Sequence, residues 1–195
     1  MFKILLSKEN LNELDLAWVT QDFNLFVTRE LSKESKKDKI MFDKNEQKFW
    51  IYAPGRNASK WDECLKDSLA MIGWDELGDL NEYSDKDSIT SALKEHYGDG
   101  SSKKNDTLAC YEFSKVVKEG DIIIPKKGNR TYLGYGIVQG KYRYDEDRKD
   151  FKHVIDVKWL NIGKHEETEH PIVLKTFTDV TKYEEYVVRL KKLLG

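Results

Sequence analysis

Met71-Ile-Gly-Trp-Asp-Glu-Leu-Gly-Asp-Leu80 opens as a short apolar run, reaches a large aromatic at Trp74, and turns acidic and glycine-broken through Asp75, Gly78 and Asp79. A strand that ends in a tryptophan ahead of a Gly/Asp loop sets a flat, rigid ring at the mouth of a sheet. Such a ring is either core, as most aromatics are, or a platform for stacking. The flanking segments bear on which it is.

Upstream, Lys48-Phe-Trp-Ile-Tyr-Ala-Pro54 is rich in aromatic and β-branched residues and stops at Pro54-Gly55, the pattern of a strand with a strong break. Asn57 and Ser59 then offer helix caps, and Ser59 with Asp62 has capping-box spacing. Trp61, Cys64, Leu65 and Leu69 fall on one helical face. The order strand, loop, helix, strand brings Ala53 to Asn57 near Trp74 if the two strands pair.

Downstream, Ile89, Ala92, Leu93 and His96 predict a helix over residues 87–97. The Gly/Ser/Lys loop at 98–105 lacks the G-x-x-x-x-G-K-[ST] order and has no strand before it, so it is not a P-loop. A further helix is predicted over 107–118. From Glu119 the period becomes strand-like. Strands are expected at Ile122–Ile124, Tyr132–Val138, His153–Leu160 and Ile172–Phe177, with a basic turn at Pro125–Arg130. Gly134 and Gly136 mark a curved strand with another backbone or ring pressed against it. Thr181 and Glu184 have capping-box spacing ahead of an amphipathic helix carrying Tyr183, Val187, Leu190 and Leu194.

These elements predict an α+β domain, a small curved β-sheet or barrel flanked by helices. Residues 1–46 are read as an N-terminal extension and lysine-rich linker, with a short strand at Phe23–Val27; residues 47–178 as the main domain; and residues 179–195 as a C-terminal helix leading toward a further domain.

Charged residues make up 35% of the chain, and no apolar run approaches the roughly 18 residues that span a bilayer, so a cytoplasmic protein without a membrane segment is expected. Cys64 and Cys110 are widely spaced and are read as reduced core thiols. The net charge of -2 conceals an asymmetry. Residues 61–100 hold eleven Asp/Glu against three Lys, while residues 33–60 and 126–152 each hold eight Lys/Arg against four acids. Two basic stretches can build one positive face suited to a polyanion, or can simply be solvated.

The four histidines have no H-x-E or C-x-x-C partner, and no Ser/His/Asp set or carboxylate pair stands at a catalytic spacing. The expectation is a protein without catalytic residues, metal or cofactor. Trp50, Trp61 and Trp159 are read as core, and Asp79 and Asp121 as turn caps.

An ordered set of motifs carries a resemblance: Phe49-Trp-Ile-Tyr-Ala-Pro-Gly with Trp61, Ile72-Gly-Trp-Asp-Glu-Leu-Gly-Asp79, Lys118-Glu-Gly-Asp-Ile-Ile-Ile, Leu133-Gly-Tyr-Gly-Ile-Val with Tyr142-Arg-Tyr-Asp145, then His153 and Val157-Lys-Trp-Leu160. Over residues 48–162 the chain resembles the EVE domain of the PUA-like superfamily, related to YTH domains, and more narrowly the N-terminal EVE-type domain of McrB-like subunits in modification-dependent restriction systems. The resemblance implies a non-enzymatic reader of double-stranded DNA that turns a modified base, such as 5-methylcytosine or N6-methyladenine, into an aromatic cage. It implies Trp74, Tyr142, Tyr144 and Tyr52 as cage walls, and Asp75, Ala53 and Asn57 as base-edge contacts. Phosphate contacts would come from Arg56, Lys60, Lys126, Lys127, Arg130, Lys141 and Arg143. It further implies a McrC-like nuclease partner and an AAA+ GTPase domain in a longer protein. An RNA-binding PUA-like module, a small nuclease or nucleotide hydrolase, and a structural adaptor are the alternatives.

Overall fold

The computed structural model describes residues 47–195. The expectations for residues 1–46, the strand at Phe23–Val27 among them, lie outside the described residues. Chain order is β1 (Phe49–Tyr52), α1 (Trp61–Asp67), β2 (Leu69–Ile72), α2 (Lys86–Tyr97), α3 (Lys104–Tyr111), β3 (Ile122–Lys127), β4 (Thr131–Tyr132), β5 (Tyr135–Val138), β6 (Arg143–Tyr144), β7 (His153–Leu160), β8 (His165–Glu166), β9 (Phe177–Asp179) and α4 (Glu184–Leu194). Single 3-10 turns lie at Arg56–Ala58, Asp75–Leu77 and Leu80–Glu82.

The strands form one sheet in the order β2-β7-β5-β3-β1-β9, with β4 added to β3 and β8, and β6 added to β7. β1 runs parallel to β3, and the other pairings are antiparallel. The sheet curls strongly enough that Tyr52 on β1 reaches β2, four places away in the sheet order. Its hydroxyl donates to the Met71 carbonyl at 2.6 Å and accepts from the Met71 amide at 2.9 Å. β1 and β2 therefore do not pair as the sequence suggested; a buried phenol joins them across the interior. The α+β class, the curved sheet with flanking helices and the C-terminal amphipathic helix are as expected.

The core lies inside the curl and under α3. Trp50 is fully buried and stacks on Phe177 at 4.8 Å between ring centres. Trp61 and Trp159 meet edge to face at 4.9 Å. Gly136 is where a ring presses on the backbone: an added Cβ would stand 2.3 Å from Val157 Cγ1 and 2.5 Å from Trp159 Cε3. At Gly134, with φ +120°, it would stand 2.7 Å from the Asn161 carbonyl oxygen. Both glycines do what their spacing suggested. Asp121, buried, accepts from the Lys48 and Lys118 amides and from Trp50 Nε1, tying the start of β1 to the turn before β3. Cys64 and Cys110 are free and buried, and burial raises the Cys64 thiol to about 11.

Several local expectations fail for identifiable reasons. Ser59 does not cap α1, because Asn57 and Ala58 have positive φ and the chain enters the helix with Ser59 already helical. Thr181 does not cap α4; its hydroxyl accepts the Phe49 amide at 2.9 Å and so fastens the approach to α4 onto β1. The helix at 107–118 begins at Lys104 and finishes in a π-helical turn, Glu112–Val116. Pro125–Lys127 extends β3 instead of turning: Pro125 sits opposite Tyr52 in the parallel register, and its carbonyl accepts Leu133 N–H. The last strand is Phe177–Asp179, while Ile172 is buried in the preceding loop and bonds the Asn129 carbonyl.

Candidate functional site

Where the curl opens, the ends of β1, β2 and β3 and the loops before β7 and β9 enclose a cleft of about 550 Å³. That size lies within the roughly 300–1,000 Å³ of small-ligand sites. It is lined by Ala53, Gly55, Arg56, Asn57 and Ala58 after β1, by Gly73 and Trp74 after β2, by Lys126 and Gly128 at the end of β3, and by Phe151, Leu174, Thr176 and Tyr97. None of these residues is acidic. Tyr97 and Leu174 are exposed, which puts apolar surface at the lip.

Backbone strain concentrates here. Six described residues other than glycine have positive φ: Asn57, Ala58, Ser68, Trp74, Phe151 and Asn161. Four of them, Asn57, Ala58, Trp74 and Phe151, line the cleft. For a bulky residue such as Trp74 (φ 71°, ψ 36°) this conformation is an outlier that the surroundings must enforce.

The enforcing contacts can be followed atom by atom. His153, buried, donates through Nε2 to the Trp74 carbonyl at 3.2 Å and accepts the Tyr142 hydroxyl at Nδ1 at 2.9 Å. That assignment of its proton leaves the Tyr142 oxygen free to accept the Leu80 amide at 3.0 Å. Burial holds the His153 pKa below its ordinary value, although the Trp74 carbonyl favours the charged ring. Asp75 faces the other way: its two carboxylate oxygens accept the amides of Phe151 and Lys152 at 2.9 and 2.8 Å. Tyr144 donates to the Asp75 carbonyl at 3.2 Å.

Of the residues the resemblance singled out, Trp74, Ala53, Arg56, Asn57 and Lys126 come together at the cleft. Tyr52 does not. It is fully buried with its hydroxyl bonded to Met71 and does not line the cleft, so its ring offers no face to a ligand there. The Tyr142 ring is half-buried, stacked on His153 with centroids 5.9 Å apart, and its hydroxyl belongs to the histidine relay. Tyr144 and Asp75 hold the loops through the bonds above, which occupy the Asp75 carboxylate that was expected to meet a base edge. Lys60 is paired with Glu63 and Asp150 and stands 5.1 Å from the centre of the Phe151 ring. Arg143 pairs with Asp156 at 2.8 Å. Lys127, Arg130 and Lys141 are exposed and do not line the cleft.

Lys126 differs from the other basic residues. It is 4% exposed, although it ends a strand beside a turn. Its Nζ donates to the Gly128 carbonyl at 3.3 Å. No carboxylate among the described residues pairs with it, and burial pulls its pKa down. Phe151 is one of several lining residues that sequence reasoning missed, with Tyr97, Leu174 and Thr176. The signal for Phe151 is an isolated aromatic in the charged run Arg148-Lys-Asp-Phe-Lys152.

No group of His, Cys, Asp and Glu side chains among the described residues is arranged to hold a metal ion, and no described helix is long and apolar enough to cross a membrane. Among solved structures, the crystal structure of the Mmi1 YTH domain is similar at 12% identity, covering 75% of this chain and 96% of that one with a TM-score of 0.41. The complex of the YTH domain-containing protein mmi1 with RNA is similar at 15% identity, covering 80% and 88% with a TM-score of 0.43. No curated protein matches the chain. A family model does match, over residues 50–184, a span that runs from β1 into the start of α4 and includes every residue lining the cleft. The chain belongs to that family, described as Domain of unknown function (DUF8426).

Proposed function

We propose that the cleft is a receptor for a nucleobase turned out of its stack, and that the protein is a non-enzymatic nucleic-acid reader. The observation that carries this reading is the joint placement of two strained aromatics, Trp74 and Phe151, with Arg56 and a buried Lys126 in one cleft that no acidic residue among the described residues lines. Stacking on aromatic faces is worth about 1–3 kcal/mol per base, enough to offset the few kcal/mol of unstacking once a hydrogen bond is added. A cage for a cationic ligand would want carboxylates, whereas here the charged groups are cations. Arg56, exposed at the lip, suits a phosphate, where a contact adds affinity and salt dependence but no sequence information.

The motif resemblance supports the finer form of the proposal. The ligand is double-stranded DNA carrying a methylated base, and the domain directs a McrB-like motor and a McrC-like nuclease to it. Residues 47–178 are the reading domain, and α4 leads toward the motor. The cage is Trp74 with Phe151, and Tyr142, Tyr144 and Asp75 act by holding those two in place.

The test is a fluorescence-anisotropy titration of the chain with matched DNA duplexes and RNAs, with and without one modified base. The expected result is tighter binding to a modified duplex that Trp74→Ala weakens about 5- to 150-fold. Equal binding to every duplex, indifferent to Trp74→Ala, would overturn the receptor assignment, and a preference for modified RNA would replace DNA as the ligand.

A further inference from the structure

Lys126 sits in the cleft with more donors than the protein uses. An ammonium has three N–H groups, and the Gly128 carbonyl at 3.3 Å takes one of them. The residue is 4% exposed, so water has little access to the other two. A buried donor left unmatched is costly, and a site built around such donors strongly rejects ligands that bring it no acceptor. Arg56 and Asn57 at the lip are exposed, and Ala53 and Gly73 contribute no charged group. Among the described residues, Lys126 is therefore the one buried charged side chain lining the cleft.

Two spare donors on one nitrogen match two acceptors side by side. Cytosine presents such a pair in N3 and O2, and guanine in N7 and O6. In adenine each acceptor beside the exocyclic amine has an N–H donor as its neighbour, and the remaining ring nitrogen stands alone. In thymine and uracil an N–H separates the two carbonyls. We propose that Lys126 is a specificity-determining residue that restricts the cleft to bases with two adjacent acceptors, cytosine and guanine derivatives, and excludes adenine derivatives. A substituent on C5 of cytosine lies opposite the C2 carbonyl, so Lys126 would read the base while the aromatic residues of the cleft meet the modification. This inference rests on the reading of the cleft as a base receptor.

The experiment uses the whole chain and DNA duplexes with one unpaired central base opposite an abasic site, which lowers the energy of turning the base out. The central base is cytosine, 5-methylcytosine, guanine, adenine or N6-methyladenine, and the readout is Kd. Wild-type protein should prefer cytosine- or guanine-type duplexes to adenine-type ones by about 10- to 100-fold, and Lys126→Met should level the ranking. The cytosine and guanine arms separate the two sources of the acceptor pair. Melting of Lys126→Met serves as the folding control, with a transition at or above that of wild type expected because a buried unpaired cation is replaced by an apolar chain. Wild-type binding to N6-methyladenine as tight as to 5-methylcytosine would overturn the inference while leaving the base receptor standing. So would a loss in Lys126→Met that is equal for all five bases and flattens the salt dependence, because that is the behaviour of a phosphate contact. Absence of binding to any duplex would overturn the receptor and the inference together.

Discussion

Asp75 accepts the amide N–H of Phe151 at 2.9 Å across 76 positions of sequence, so the residue that follows one cleft aromatic fixes the backbone of the other. The second carboxylate oxygen takes the Lys152 amide at 2.8 Å. Trp74 and Phe151 both have left-handed backbones, and the carboxylate couples the two strained positions. Replacing Asp75 by Ala removes two charge-assisted hydrogen bonds, each worth about 1.5–3 kcal/mol where water does not replace it. For this half-buried group the expected loss of stability is about 2 kcal/mol. Hydrogen exchange at Phe151 and Lys152 should rise toward that of an open loop, and ligand affinity should fall even though no ligand contact has been removed. Unchanged protection of those two amides would show that the loop is held by other means.

His153 makes stability depend on pH. Its folded-state pKa lies below its ordinary value because the ring is buried, which outweighs the Trp74 carbonyl and the nearby Asp75 and Asp79 that favour the charged form. The unfolded chain therefore takes up a proton before the folded one does. Stability is fully present above about pH 6.5, the ordinary histidine value. It is lost as pH falls from there toward the depressed folded value. Urea unfolding between pH 7.5 and pH 5 should show that loss, and His153→Gln, less stable at neutral pH, should show a flatter profile. Parallel profiles for the two proteins would assign the pH dependence to other groups.

Gly136→Ala tests how closely the curled sheet is packed. The new methyl would overlap Val157 Cγ1 and the Trp159 ring, both on the neighbouring strand β7. Overpacking of this kind costs about 1–3 kcal/mol, which for a chain of this size lowers Tm by roughly 2–4 °C per kcal/mol. A melting temperature equal to wild type would mean that β5 and β7 can separate locally.

The two thiols should be silent in the native protein. Burial raises Cys64 to about 11 and pushes Cys110 higher, so little thiolate forms at pH 8. A chromogenic disulfide reagent should label neither quickly under native conditions and both in denaturant. Fast labelling of one cysteine in the folded state would reveal an opening near α1 or α3.

The sequence made much of this legible, for physical reasons that differ by element. The glycines at 134 and 136 could be read because a missing side chain inside an apolar strand has few explanations other than close approach. The place of Trp74 just past the end of β2 could be read because a loop breaks immediately after it. What stayed hidden depends on where the chain returns. Tyr52 looks the same in sequence whether its hydroxyl meets a ligand or Met71, and the curl of the sheet decides it. Asp75 has the residue type of a base-edge contact, and only the loop at Phe151 shows that its oxygens are occupied. The basic count over residues 126–152 overstated the free charge, since Arg148 pairs with Glu63 and Asp67, and Arg143 with Asp156. Lys126 was one of seven basic residues with the same expectation; its burial at the end of β3, opposite Tyr132 of β4, sets it apart.

The cleft draws its lining from the segments after β1, β2 and β3 and from the loops ahead of β7 and β9, so no single one of these segments holds even half of it. The parallel pairing of β1 with β3 joins Phe49 to Ile122, and β9 closes on β1 from still farther along, which makes the site among the last things the chain can assemble. A chain in which β9 has not docked lacks the Leu174 and Thr176 side of the cleft. A ligand that needs the complete cleft binds the native state alone, and it stabilises the entire domain by an amount set by its free concentration relative to Kd. Any ligand of the cleft would thereby also slow turnover of the protein, because degradation through the open state draws on a population that occupancy depletes.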